Sequence, residues 1–356
     1  MIRLDGVVKR YPLQAGFFAR ATSFVHAVNG VSLQINPGEV YGLVGESGCG
    51  KTTTARLLVR MERLTAGEIL FRNREGREYR LSQVDQRELK DVRNRIRYVF
   101  QDPARSLNPR LTIREVLLSG YRYSPSWPGR ARAEGDARRL LQEVGLQAGD
   151  LDRRPADFSG GQRQRISIAR ALITQPEVLI CDEVVSALDV SIQGQILNLL
   201  LRIREERKLT MIFIAHDLAV VGYMSDRIGV MYRGVLVEEA PARKLLTDHR
   251  HRYTRYLFNA LPRLGRRHDS RRGGIGTPAE GAHEEEGERE AAGAHDEEGA
   301  HEADTSHSSM SSPGSEFSRK ADPTVFPVDD PADLEMVEIA PGHRVSRAFG
   351  ERELAR

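Results

Sequence analysis

The chain has 356 residues, 40% hydrophobic and 29% charged, which suits a soluble globular protein with room for one large domain or two modest ones. No run approaches the roughly 18 apolar residues of a membrane span, Met1 to Asp5 lacks a secretory apolar stretch, and two cysteines, Cys49 and Cys181, exclude a disulfide framework or four-cysteine metal site. The net charge of +3 is unevenly placed: eleven acidic residues and one Arg lie between Glu280 and Asp304, so the remainder is basic, yet no Lys/Arg run is interleaved with aromatics as a nucleic-acid groove requires.

Taken in chain order, Arg3 to Tyr11 and Phe24 to Ile35 alternate like antiparallel strands. Val40 to Val44 is the first of four short apolar runs, followed by Ile96 to Phe100, Val178 to Cys181 and Met211 to Ala215. Each runs into polar or glycine residues, the pattern of parallel strands in a covered sheet. Thr53 to Met61 can continue as a helix. Between Asp102 and Phe158 the strand signals vanish, while Ile113 to Ser119 and Ala131 to Val144 read as helices, which predicts a helical insert at about 102–160. The whole to about residue 264 is predicted to be α/β. From Gly265 to Lys320 the composition collapses to Gly, Ala, His, Glu, Ser and Arg. This segment cannot bury enough apolar area and reads as a disordered linker; His283, His295 and His301 within it carry no preset metal-ligand geometry. Residues 323–349 regain apolar character (Val325, Phe326, Leu334, Met336, Val337, Ile339) and are suited to dock on the body.

The chemistry concentrates where apolar runs end. Gly45-Glu46-Ser47-Gly48-Cys49-Gly50-Lys51-Thr52-Thr53 matches the phosphate-loop pattern GxxxxGK[ST]. Its small residues let successive backbone N–H groups surround a polyphosphate, Lys51 reaches the β- and γ-phosphates, and the Thr52 hydroxyl suits Mg²⁺. Asp182 and Glu183 end another apolar run; Asp182 is a second Mg²⁺ candidate and Glu183 a general base for an attacking water. His216 and Gln101 stand at the ends of two further strands, the first suited to the γ-phosphate or the water and the second to Mg²⁺ or water. Ser159-Gly160-Gly161-Gln162, ahead of a helix near Arg163, is either a plain helix cap or a second phosphate cradle serving another subunit's nucleotide.

Phe158 to Ile166 resembles the signature of ATP-binding cassette (ABC) ATPases. The loop at 45–52, Gln101, Asp182-Glu183, Ser186 to Asp189 and His216 follow in that family's order, over roughly residues 3–240. The resemblance implies an ABC-type nucleotide-binding domain with a mixed sheet, an N-terminal antiparallel part and a helical subdomain. It also implies ATP and Mg²⁺ as cofactors, ATP sandwiched between two subunits, and Tyr11 stacked on adenine. A narrower resemblance, to ATPase subunits of oligopeptide, dipeptide and nickel importers, rests on Phe100 to Pro103, Ser106 to Thr112, Ser186 to Ser191, His251 to Arg255 and Glu338 to His343. It implies a motor on the cytoplasmic face of the membrane, paired with a sister ATPase subunit (or a second copy of itself), two permease subunits and, indirectly, an external solute-binding protein. The corresponding organisation is a nucleotide-binding domain at 1–246, the start of a C-terminal extension at 247–264, the low-complexity segment at 265–320, and the rest of the extension at 321–356. The extension lacks the cysteines that hold an iron–sulfur cluster in many relatives, so no cluster is expected. Val184 and Arg252 stand where the pattern has Pro. Two alternatives remain: a soluble accessory ATPase of a metabolic complex such as carbon–phosphorus lyase, and a nucleotide-binding scaffold that hydrolyses poorly.

Overall fold

A computed structural model describes residues 1–13, 23–102, 106–121, 124, 127–259 and 335–346. The low-complexity segment and the apolar residues Val325, Phe326 and Leu334 lie outside them. The two alternating N-terminal segments pair antiparallel as β1 (Ile2–Leu13) and β2 (Ser23–Ile35), with Ile2 opposite Ile35. Two strands the alternation does not reveal, β4 (Ala66–Arg72) and β5 (Glu78–Arg80), extend this into a four-stranded sheet ordered β2-β1-β4-β5.

The four apolar runs form β3 (Val40–Val44), β6 (Ile96–Val99), β7 (Val178–Asp182) and β8 (Thr210–Ile214), parallel and adjacent in the order β3-β8-β7-β6. Alternate residues enter two different cores. Val40, Val44, Leu179, Cys181, Met211 and Phe213 pack with the helical insert, whereas Tyr41, Leu43, Val178, Ile180, Ile212 and Ile214 pack with the four-stranded sheet. Both faces are therefore dry, which is why these strands read as continuous apolar runs. On the other side of β3 come β9 (Arg227–Tyr232), parallel to it, and then the antiparallel β10 (Val235–Pro241).

Some helices start where a side chain satisfies their free N–H groups. The helix after the phosphate loop, α1 (Lys51–Leu58), starts two residues before the predicted Thr53 and stops three before Met61. Helix α2 (Gln86–Arg95) has an Asp85/Glu88 capping box, and α3 (Ile113–Leu118) has one from Thr112 and Glu115. Helix α4 (Arg130–Glu143) and α5 (Gly160–Leu172) complete the described insert and its exit. Helix α6 (Val190–Arg207) ends on Lys208 in the left-handed region, with φ 49°. Two shorter helices, α7 (Leu218–Met224) and α8 (Ala242–Thr247), follow. Among the described residues, no helix is long and apolar enough to cross a membrane.

The segment after the linker supplies β11 (Met336–Ala340) and β12 (His343–Ser346), and β12 pairs antiparallel with β10. The eight-stranded sheet thus reads β11-β12-β10-β9-β3-β8-β7-β6. Two consecutive, fully buried glutamates hold this junction. Glu238 accepts from His343 Nε2 at 2.7 Å and from the backbone N–H groups of Arg250 at 2.7 Å and His251 at 3.0 Å. Burial opposes its charge, but these donors, His343 first, outweigh that and hold its carboxyl below the usual range. Glu239 accepts from Tyr41 at 2.9 Å, Arg227 at 2.6 Å, and Arg344.

His251 is buried beside Glu238 and leads into α9 (Arg252–Asn259). Its Nδ1 accepts the Tyr253 N–H at 3.2 Å, which requires that nitrogen to be unprotonated. Burial drives its pKa down to about 4, the facing Glu238 opposing and Arg255 assisting. The unfolded chain therefore binds a proton here below about 6.5 that the folded chain refuses until about 4. Stability attributable to His251 is complete above the upper value and is lost as pH falls through this window, by up to about 3 kcal/mol. Chemical denaturation of wild type and His251→Asn at pH 7 and pH 4 measures this; the wild type should lose more stability across that interval than the variant, which keeps an acceptor but does not titrate.

Candidate active site

The carboxyl ends of β3, β8, β7 and β6 lie along one edge, so the phosphate loop, His216, the Asp182-Glu183 pair and Gln101 follow one another in space as the strands do. This is the edge at which α/β sheets bind ligands. The loop leaves β3 at Gly45, with φ 147°, and reaches α1 through Gly48 at 80° and Gly50 at 108°. A Cβ on Gly45 would sit 2.2 Å from the Met231 carbonyl oxygen, and one on Gly50 would sit 2.2 Å from that of Ala27. Glycine is required at both positions by conformation and by space.

Lys51 is buried under the loop, where its ammonium donates to the carbonyls of Gly45 at 2.7 Å and Glu46 at 2.8 Å. The third donor faces only the Cys49 sulfur at 3.7 Å, a weak acceptor, and suits a phosphate oxygen. Burial raises the Cys49 thiol above its ordinary pKa despite the adjacent Lys51, so it remains a neutral packed group. Glu46, Ser47 and Gly48 form the exposed crest, and Thr53 continues the first turn of α1.

Thr52 Oγ1 donates to Asp182 Oδ1 at 3.1 Å, bringing together the two side chains expected to hold Mg²⁺. Both offer hard oxygen donors on one side of the loop, a set that fits this ion. The other carboxylate oxygen of Asp182 accepts from the Tyr98 hydroxyl at 2.5 Å. Burial, then the charge of Asp182, pushes the Tyr98 phenol far above its ordinary pKa, so it donates at every physiological pH. Tyr98 escapes sequence reasoning because it reads only as one aromatic in a strand. Its signal was its place three residues before Gln101 on the strand beside Asp182.

Gln101 Nε2 donates to Glu183 Oε2 at 2.6 Å, so the two residues expected around the attacking water meet. Glu183 takes φ 49°, in the left-handed region. It is fixed by its own N–H to Ile214 O at 2.8 Å and by Ser186 Oγ, which donates to its carbonyl at 2.9 Å. Strain of this kind is held only where the surroundings determine it. Val184 and Val185 turn back into the core. His216 is exposed at the end of β8, beside Asp217, which caps α7.

Two sets of expected site residues lie on other elements. Tyr11 is on β1, with the Lys9 ammonium 4.6 Å from its ring centroid. Ser159 and Gln162 form a reciprocal capping box at the start of α5: Ser159 Oγ accepts from the Gln162 N–H at 3.3 Å, and Gln162 Oε1 accepts from the Ser159 N–H at 3.0 Å. A Cβ on Gly161 would meet Ile192 Cγ2 at 2.6 Å, while one on Gly160 would make only an ordinary contact with Leu188 Cδ2 at 3.9 Å.

Fold and edge together define a phosphate-loop nucleoside triphosphatase with an inserted helical subdomain. Residues 28–186 match the ABC transporter family. The chain is 44% identical over 263 residues to the oligopeptide transport ATP-binding protein AppF of Bacillus subtilis (strain 168), covering 74% of this chain and 78% of that protein. It is 45% identical over 262 residues to the glutathione import ATP-binding protein GsiA of Escherichia coli (strain K12), covering 74% of this chain but 41% of GsiA. Among solved structures, the dimeric post-hydrolysis state of the ATP-binding cassette MJ0796 bound to ADP and Pi aligns with TM-score 0.59 and 28% identity, over 68% of this chain and 99% of that one. The chain belongs to the ABC transporter family, and it is an ATPase.

The Tyr98 contact generates a prediction. Tyr98→Phe leaves a buried carboxylate oxygen without its donor and frees Asp182 to turn. Loss of the donor to a metal-holding carboxylate, the role expected of Asp182, typically weakens metal affinity by about 10- to 100-fold. The Mg²⁺ concentration for half-maximal ATPase activity should therefore rise about tenfold or more, read by titrating Mg²⁺ at saturating ATP.

Proposed function

We propose that this chain is the ATP-hydrolysing subunit of an importer for peptide-like solutes, oligopeptides and dipeptides first and nickel as a further cargo class. The observation that carries this reading is the 44% identity to AppF over 263 residues, a span well beyond the 28–186 of the general family match. The similarity thus extends well beyond the segment matched by the general family.

In this reading, Gly45 to Thr53 receive the triphosphate and Lys51 neutralises its charge. Thr52 and Asp182, with Gln101 nearby, hold Mg²⁺, which when bound supplies Lewis-acid stabilisation of the phosphoryl oxygens. Glu183 accepts a proton from the attacking water while Gln101 and His216 orient the water and the γ-phosphate, roles worth roughly 10²- to 10⁴-fold for the base. Tyr11 stacks on adenine. Ser159 to Gln162 serve the nucleotide of a second ATPase subunit: their hydrogen bonds to each other form a helix N-terminus whose remaining N–H groups suit an anion. The partner is a sister subunit, with a homodimer as the other arrangement. The pair works at the cytoplasmic face of the membrane with two permease subunits and, through them, an external binding protein. Both cysteines are buried in the cassette, so no iron–sulfur cluster is part of the proposal.

The test is ATP turnover by the purified chain and its Glu183→Gln variant, alone and with permease and sister subunits. Wild type should hydrolyse ATP faster with the membrane partners, and the variant should lose turnover by at least about 10²-fold while retaining ATP in a stable dimer. Binding without turnover in every mixture would instead identify a scaffold, and stimulation only by soluble enzymes would identify an accessory ATPase.

A further inference from the structure

The HRYTR segment at 251–255 is not used by any step above, yet it touches the phosphate loop. The Tyr253 hydroxyl accepts the backbone N–H of Glu46 at 2.9 Å, a contact between residues 207 apart in sequence. Tyr253 is 6% exposed, and its ring packs on Tyr232 with centroids 4.4 Å apart. Tyr232 ends β9, the strand directly beside β3. The phenol is therefore held from behind and presents its oxygen to the shoulder of the loop. Burial pushes its pKa far above the ordinary value, so it remains neutral and does not place an anion beside the phosphates.

The position of Tyr253 is itself fixed by the C-terminal hairpin. Its N–H is donated to His251 Nδ1, and the N–H groups of Arg250 and His251 bind Glu238. Glu238 also takes His343 of β12, while its neighbour Glu239 takes Arg344 of β12 and Tyr41 of β3. A continuous set of hydrogen bonds thus runs from β12 through Glu238 and the 250–253 turn to Glu46. A second runs from β12 through Glu239 to the strand that carries the loop.

We propose that Tyr253 is a positioning residue for ATP binding: its hydroxyl pins Glu46 so that the phosphate loop is ordered before nucleotide arrives, and the C-terminal extension sets that pin. The proposal rests on the assignment of residues 45–53 as the ATP site. A loop ordered in advance binds more tightly because less ordering is left to the binding event. Loss of one neutral hydrogen bond corresponds to roughly a fivefold change in an equilibrium.

Tyr253→Phe removes the hydroxyl and keeps the ring on Tyr232. In the full-length protein, KM for ATP and the Kd for ATP should each rise about fivefold, with kcat within about twofold. Amide hydrogen exchange should accelerate at Glu46 and its loop neighbours while the melting temperature changes little. Unchanged KM and Kd, or a change that appears only together with general loss of stability, would overturn the proposal and leave Tyr253 as packing. Lys51→Ala, measured for ATP binding in parallel, separates the two levels. If Lys51→Ala loses ATP while Tyr253→Phe behaves as wild type, the positioning role alone is wrong. If Lys51→Ala binds ATP normally, the site assignment is wrong and the proposal falls with it.

Discussion

The Asp182 carboxylate, buried at the end of a fully buried strand, is the group on which the active edge depends. A carboxylate in such a place costs several kcal/mol unless hydrogen bonds compensate, and here each oxygen has a donor from a different element: Thr52 on the loop helix and Tyr98 on β6. The same carboxylate therefore also fixes the spacing of three elements. Cys181, directly behind Asp182, is pushed far above its ordinary pKa by burial and then by that carboxylate, so no second negative charge competes. A like charge at this position would repel the Asp182 carboxylate.

The same logic recurs on the far side of β3. Glu39, Glu238 and Glu239 are all buried, and Arg227 bridges Glu39 at 3.0 Å and Glu239 at 2.6 Å. Buried ion pairs of this kind are poor evidence for net stability, because desolvation offsets much of the attraction. Their geometric consequence is firmer. Removing any partner strands a charge, so the register of β10 against β12, with Glu239 opposite Arg344, is costly to shift. A hairpin added to the sheet from a remote part of the sequence would otherwise be free to slip.

What could be read from the sequence follows from where the physics is local. The four parallel strands were legible because both faces are buried, so each strand is a run of apolar residues. The helix cap at Ser159 was legible because a cap is a matter of spacing. The short strands β4 and β5 were not, since Leu70 between the buried Ile69 and Phe71 breaks the alternation of β4 and β5 is only 3 residues long. Nor was the pairing of Gln101 with Glu183, of Tyr98 with Asp182, or of Tyr253 with Glu46. These contacts join residues 82, 84 and 207 apart, and each depends on strand order that no local pattern encodes. Individual residues of the edge were visible from strand ends alone; the donors that hold them were not.

Those donors explain how a loop of eight small and polar residues keeps a single shape. Backbone bonds hold it from one side, where Gly234 donates to the Cys49 carbonyl at 2.9 Å and the Gly234 carbonyl in turn accepts from Asn29 at 2.8 Å. Lys51 draws the Gly45 and Glu46 carbonyls inward from beneath, and Tyr253 takes the Glu46 N–H from outside. The Gly45–Glu46 peptide unit is thus restrained at both ends, its carbonyl toward the core and its N–H toward the C-terminal segment. The remaining crest, Ser47 and Gly48, is exposed and keeps its N–H groups for a ligand. Restraint of the shoulder with freedom at the crest is the arrangement that lets an anion-binding loop be ordered during folding and still face solvent.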